Sequence, residues 1–340
     1  MKNKFRGVEN RQRRRDKILR LIFLAALTFT VLGVLFWNRS GNIHWDHLRR
    51  FSFIFETQTS SYLISISPAD QVISVISINP QTYIEAVDGL GTYKVSSIYK
   101  LGELKGVGKK GGELLAESIQ QAFGVPIEAY IYFDEKGDGI NYINSDSDWR
   151  KFRDKYFGVG ATADAVRMIL AGSPSFKTNL NAGELFSLYK SIQDMGGAQL
   201  KIYDLASYEV LSSYKLPDKS KVLRIDPDRL DKILDGVFAD KKILDEGLTV
   251  GVMNASRKAG VAGMASRIMS SMGTRVVSVG NVDEFLPEAC MIKGTDKALS
   301  SYTVGRINEV FSCIETKVDS RNDLSGPYDV EFMVGEGYRE

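Results

Sequence analysis

Ile18 to Trp37, ILRLIFLAALTFTVLGVLFW, constrains this chain more than any other stretch. It holds twenty residues and one charge, Arg20, near its start. At about 1.5 Å per residue a helix over it is about 30 Å long, the hydrocarbon thickness of a bilayer. Arg20 is close enough to the end for its guanidinium to reach the headgroups. Trp37 and then Trp45 stand where interfacial aromatic residues belong. The run is longer than the roughly 7–15 apolar residues of a signal peptide, and no small-x-small cleavage site follows it. The expectation is a retained membrane span over 18–37.

Charge then gives orientation. Residues 1–20 carry nine Lys/Arg against two Asp/Glu, whereas the remaining 320 residues carry 35 against 40. The basic character is confined to one short arm ahead of the span, and Arg39, Arg49 and Arg50 follow it. The positive-inside rule places the arm in the cytoplasm and residues 38–340 outside. A mildly acidic outer body is a poor general binder of polyanions, and outside the membrane ATP and NAD are not at hand. His44 and His47 are the only histidines, so a Ser-His-Asp triad in the body is excluded. Their i, i+3 spacing lacks a third ligand and reads as a solvated pair. Cys290 and Cys313 are the only cysteines. A disulfide between them is permitted outside the membrane, two unpaired thiols are equally compatible, and no CxxC suggests a metal or redox site.

The outer part begins with short runs rich in Ile, Val, Phe and Tyr at 51–56, 61–67 and 71–78, which predict strands. The spacing of Leu115, Ile119 and Ala122 predicts a helix over 112–123, ended by Gly124, before a strand at 127–133. Residues 77–99 read as loop. DEKGDG, from Asp134, lacks the spacing of a calcium loop and reads as a turn. Helical patterns follow at 147–156, 161–171 and 182–195, strands at 199–204 and 207–214, and a helix from Pro227 to about Phe238. The C-terminal segment has a βαββαβ rhythm: strands at 248–254, 274–280, 288–294 and 329–335, helices at 258–272 and 301–311. That rhythm fits a ferredoxin-like sandwich.

LKGVGKKGG, Leu104 to Gly112, is the one glycine-lysine cluster. As a phosphate-binding P-loop it fails, because Gly102 to Gly108 is one residue too long and Lys110 stands where Ser or Thr would hold magnesium. As a helix-hairpin-helix turn it would offer N–H groups to a phosphate. SINPQTYIEAVDGLGTYKVSSIY followed by GGELLAESIQQAFGVPIEAYIYFD resembles the core of the LytR-CpsA-Psr family, with Gly111 and Gly112 opening the helix. VGVMNASRKAGVAGMASRIMSSMGTRVVSVGN and DVEFMVGEGY are similar to the LytR C-terminal domain, at Asn254, Gly260, Gly263, Gly273, Gly280 and Asn281. The resemblance implies a membrane-anchored, outward-facing α/β protein. Its active members transfer glycopolymers from a polyprenyl-phosphate carrier to peptidoglycan, with arginines and aspartates gripping pyrophosphate and magnesium. This chain has Asn79, Pro80 and Gln81 where the family has Pro-Arg-Asp, and ETQTSS replaces the longer loop that supplies an Asp and an Arg. Thr82, Tyr83 and Lys94 remain of the pocket-side motifs. Asn254 opens a strand-turn-helix that offers N–H groups.

The expected fold class is α/β. The units are a basic arm 1–17, a transmembrane helix 18–37, a juxtamembrane link 38–50, a reduced LytR-CpsA-Psr-like domain 51–238, a linker 239–247 and a LytR C-terminal domain 248–340. The expected function is a non-catalytic envelope protein that binds or organises wall glycopolymer. Its expected partners are the lipid bilayer and peptidoglycan or a polyprenyl-linked glycopolymer, with no cofactor. One alternative is a divergent phosphotransferase with magnesium, using Arg150 and Arg153. That reading requires Lys94, Arg150 and Arg153 to converge with a carboxylate on an apolar pocket. The other is a nucleic-acid binder resting on Leu104–Gly112 alone.

Overall fold

The computed structural model describes residues 49–104, 110–134, 142–158 and 176–338, with isolated positions elsewhere. Lys17, Arg20 to Phe23, Leu27, Thr28 and Gly33 are helical. Leu21, Ile22, Phe23 and Leu27 are exposed there. Most of the 18–37 span, His44, His47, most of DEKGDG and nearly all of the 161–171 helix lie outside the described residues. Among the described residues no helix is long and apolar enough to cross a membrane.

The first unit opens with β1 (Phe51–Thr57), β2 (Ser61–Ser67) and β3 (Val72–Ile78). These form an antiparallel meander with Phe53 opposite Ile64 and Ile64 opposite Val75. The stretch read as loop forms a hairpin, β4 (Tyr83–Ala86) and β5 (Gly91–Lys94), and a helix, α1 (Val95–Gly102). Gly89 and Gly91 supply the positive φ that its turn needs. Then come α2 (Gly111–Phe123), β6 (Ala129–Phe133), α3 (Asp146–Phe157), β7 (Phe176–Thr178), α4 (Ala182–Asp194) and β8 (Gln199–Asp204). The sheet order is β7-β6-β1-β2-β3-β8. β6 runs parallel to β1 and β8 parallel to β3.

The two faces of this sheet have different cores, as the two-residue period of a strand dictates. Phe51, Phe53 and Phe55 point to one face and pack with Trp149, Phe152 and Phe157 of α3 and Leu188 of α4. Ile54, Leu63 and Ile76 point to the other and pack with Ile98 of α1 and Leu115 and Ile119 of α2. Burial of each such side chain stabilises the fold by about 1.5–3 kcal/mol. Trp45 departs from its expected interfacial place. It is 1% exposed, stacks on Phe51 at 4.9 Å and donates its indole N–H to the Arg49 carbonyl at 2.9 Å. The link over 38–50 is thus, at its described residues, part of the core.

A two-stranded ribbon, β9 (Leu211–Lys215) and β10 (Lys221–Ile225), precedes α5 (Pro227–Leu234). The segment expected as a linker contains α6 (Lys241–Glu246), capped by Asp240 and anchored by buried Ile243. Glu246 accepts the Tyr302 and Thr303 N–H groups at 2.9 and 2.7 Å, which ties this helix to the C-terminal unit.

That unit comprises β11 (Thr249–Asn254), α7 (Val261–Ser271), β12 (Arg275–Asn281), β13 (Cys290–Gly294), α8 (Asp296–Leu299), α9 (Tyr302–Phe311), β14 (Ile314–Lys317) and β15 (Val330–Val334). The expected four-strand βαββαβ sandwich is replaced by a five-strand mixed sheet, β12-β11-β15-β13-β14. The extra strand, IETK, is short, largely exposed and has one apolar residue, so it carries no period-two signal. β11 pairs in parallel with both β12 and β15, and only β13 and β15 are antiparallel. Cys290 and Cys313 are joined by a disulfide that ties β13 to the residue before β14.

Candidate functional site

Tyr83 and Lys94 are cross-strand partners on the β4–β5 hairpin. Thr82 precedes the hairpin and bridges to Leu223 of β10. Its carbonyl accepts the Val95 N–H at 2.8 Å, while its buried hydroxyl has no hydrogen-bond partner. Lys94 is half-buried and lies within electrostatic reach of Asp218. The Asp218 carboxyl is lowered first by its hydrogen bond from the Ser220 hydroxyl and less by Lys94. Thr82, Tyr83 and Lys94 therefore come together, at the edge of the aliphatic face.

Arg150 and Arg153 do not join them. Both ride on α3, whose Trp149, Phe152 and Tyr156 are buried in the aromatic core on the opposite face of the sheet. Arg150 is exposed, and Arg153 pairs with its own neighbour Asp154 at 2.9 Å. The convergence that the phosphotransferase reading requires is absent. The space between β3 and α2 is occupied by Ile76, Ile78, Leu115 and Ile119, each at most 1% exposed and all members of one packed cluster. Asn254 ends β11. Its Nδ2 donates to the Lys258 carbonyl at 2.8 Å, and its Oδ1 accepts from the Ser256 N–H and hydroxyl at 3.0 and 2.8 Å. The side chain shapes the turn that leads, through Gly260 at φ +90°, into α7.

The glycine-lysine stretch resolves at its C-terminal end. Gly111 begins α2, and its N–H donates to the Glu103 carboxylate at 2.9 Å. A carboxylate thus takes a position at this helix end that a phosphate would need. A Cβ on Gly112 would fall 2.0 Å from the Tyr130 ring, so the helix approaches β6 only because this residue is glycine. Residues 105–107 and 109 lie outside the described residues.

Tyr130 also lines a cleft of about 350 Å³ between the two units. α2 contributes Glu113, Glu117 and Gln120, the entry to β6 contributes Glu128, and the C-terminal unit contributes Phe311 and Tyr338. The described lining has three carboxylates and no Lys or Arg. At its base lies a buried charge cluster with no local signature in the sequence. Arg49 is 2.9 Å from Glu309 and 3.8 Å from Glu128, and Arg306 is 2.7 Å from Glu128. Arg306 also pairs with Glu309, and the Ser52 N–H donates to Glu128 at 2.8 Å. Burial pushes the Glu128 carboxyl up to about 8, with the Arg49 guanidinium and the Ser52 N–H pulling it back. The cluster ties three distant segments: the residues before β1, the entry to β6, and α9. Sequence reasoning missed it because Arg49 and Arg50 stand beside a membrane-like run and read as flanking charges.

Glu56 is a second missed group. It is 2% exposed on β1, and its Oε2 has no hydrogen-bond partner. Burial raises its pKa well above the carboxylate range, opposed by Lys100.

No family model and no curated protein matches the chain. Solved structures do. Bacillus subtilis TagV is similar at 13% identity over 54% of this chain and 94% of that chain, with a TM-score of 0.38. YwtF (TagT), a LytR-CPS2A-psr family protein with bound octaprenyl pyrophosphate lipid, is similar at 13% identity over 56% of this chain and 89% of that chain, with a TM-score of 0.37. A transcriptional regulator from Enterococcus faecalis is similar at 11% identity over 69% of this chain and 92% of that chain, with a TM-score of 0.40. The structural neighbours include LytR-CpsA-Psr proteins. Their ligands and chemistry are statements about those proteins.

Proposed function

We propose that this chain is a membrane-anchored, outward-facing envelope protein that binds wall glycopolymer without transferring it, through the cleft between its two units. The observation that carries the non-catalytic reading is the separation of Lys94 from Arg150 and Arg153 by a six-stranded sheet. Pyrophosphate transfer needs several cations, or a cation and a metal, on one substrate. The packed aliphatic core under α2 also argues against room for a polyprenyl tail. The exposed Leu21, Ile22, Phe23 and Leu27 support the anchor, and the Cys290–Cys313 disulfide supports an oxidising compartment.

The glycan class follows from the cleft chemistry. Carboxylates repel a phosphate-rich polymer and accept hydroxyl hydrogen bonds, while tyrosine rings offer a face to a sugar. The reading is therefore a neutral, hydroxyl-rich glycan strand. The test is co-sedimentation of the detergent-solubilised full-length chain with peptidoglycan stripped of anionic polymers. Binding is expected, with about tenfold loss in Tyr338→Ala and no competition from added anionic polymer. Robust transfer of a polyprenyl-linked glycopolymer, lost in Lys94→Ala, overturns the reading. Glycan binding unaffected by Tyr338→Ala removes the cleft from it.

A further inference from the structure

A polar row crosses the aliphatic face of the first sheet, at the end opposite Thr82 and Lys94. Ser52 on β1, Ser65 on β2, Ser74 on β3 and Lys201 on β8 are partners in successive strand pairs. Cross-strand partners rise from the same face, so the three hydroxyls and the lysine stem form one line. Ser52 and Ser65 join through their hydroxyls at 3.1 Å. The Ser74 hydroxyl has no hydrogen-bond partner, although the residue is only 1% exposed. A buried hydroxyl without a partner is a rare and costly arrangement in a folded protein.

The row is overlain by Arg50. Its Nε donates to the Ala239 carbonyl at 3.0 Å and its Nη1 to Ser65 Oγ at 3.4 Å, while Asp70 stands 3.8 Å from Nη2. Its side chain is 9% exposed. A cavity of about 300 Å³ opens over these groups, and Ser74, Lys201 and Lys241 also line it. Asp70 is the one carboxylate in that described lining against Arg50, Lys201 and Lys241, which leaves two positive charges in excess. Lys201 and Lys241 are exposed and free to swing over the opening. Guanidinium, ammonium and hydroxyl donors converging from different elements on a small cavity match the oxygens of a doubly charged tetrahedral anion.

We propose that Arg50, Ser74, Lys201 and Lys241 form a binding site for one phosphate group, borne by a lipid headgroup or by a soluble phosphate ester. Arg50 lies thirteen residues after Trp37. That is a span of at most about 45 Å of extended chain, so in the anchored reading the site is within reach of the headgroups. The site is separate from the glycan cleft, and its test does not depend on glycan binding.

The full-length chain in neutral detergent is titrated calorimetrically with inorganic phosphate, against chloride at equal ionic strength. Saturable phosphate binding is expected. Lys201→Gln and Lys241→Gln should each weaken it about tenfold, the loss of one charge-assisted hydrogen bond, with the unfolding temperature unchanged. The same titration in nanodiscs identifies the source. Phosphatidylglycerol discs that suppress binding of added phosphate, relative to phosphatidylcholine discs, support a headgroup. Equal binding in both disc types supports a soluble phosphate ester. Absent phosphate binding, or binding equal in the wild type and both lysine variants, overturns the site.

Discussion

Arg49 and Arg50 are neighbours in the chain and end in opposite electrostatic surroundings. Arg49 meets Glu309 at 2.9 Å and Glu128 at 3.8 Å, and Arg306 completes a cluster of two cations and two carboxylates. Arg50 meets a carbonyl, a serine hydroxyl and one carboxylate at 3.8 Å, and it shares its cavity with two more lysines. Both guanidiniums are more than nine-tenths buried. Burial alone therefore does not tell a structural charge from a binding one. The balance of partners does: in the first set each guanidinium meets a carboxylate within hydrogen-bond reach, whereas the described lining around the second holds one carboxylate against three cations.

The largest expected effect breaks the first set. Arg306→Met leaves Glu128 in the interior with only the more distant Arg49, and destabilisation of about 3–5 kcal/mol is expected in urea unfolding. The double variant Arg306→Met/Glu128→Met removes Glu128 together with its nearer guanidinium and should recover most of that loss, because the desolvated charges go together. A single variant costing under about 0.5 kcal/mol would mean that Arg49 and Arg306 are as loosely held as a surface pair.

Glu56 extends the comparison to a carboxyl with no guanidinium beside it. Its folded pKa is raised by burial, so its protonated form is the one the fold accepts. The sign follows: the stability associated with this group is fully present below the unfolded carboxylate value of about 4.3 and is lost as pH rises toward the folded value. Glu56→Gln should match the wild type at about pH 4 and exceed it increasingly as pH rises above the unfolded carboxylate value, until the folded carboxyl has itself ionised. Thermal unfolding across pH measures this. A difference between the two proteins that does not change with pH would mean that Glu56 titrates as an exposed carboxyl does.

Much of the framework was legible because its signals are local. SYLISIS and QVISVISI are short runs rich in β-branched and aromatic residues, and they form β2 and β3 almost to the residue. The serines of the polar row are also in the sequence, but only the strand register brings Ser65 and Ser74 side by side on a buried face. What was not legible depends on partners far along the chain. The charge cluster needs Glu128 and Arg306, 178 residues apart. α6 has little local signature, because KKIL offers one buried residue, Ile243, and its other ties come from Glu246 to α9. Lys94 was found by motif, and only the sheet topology could separate it from Arg150 and Arg153.

The smallest expected effect on stability is also the sharpest test of the comparison. In Ser74→Ala the hydroxyl that is lost has no hydrogen bond to lose, so its removal relieves a desolvated donor and acceptor. Stability should change by no more than about 0.5 kcal/mol, or rise. Ser65→Ala, one strand away in the same row, removes a hydroxyl that Arg50 and Ser52 both contact and should cost about 1 kcal/mol or more. Phosphate affinity should fall in Ser74→Ala even though the fold is untouched. A stability loss at Ser74 equal to that at Ser65 would mean that its hydroxyl already has a partner within the fold. The cavity over Arg50 would then be as fully balanced as the cluster around Arg49, and the difference between the two neighbouring arginines would vanish.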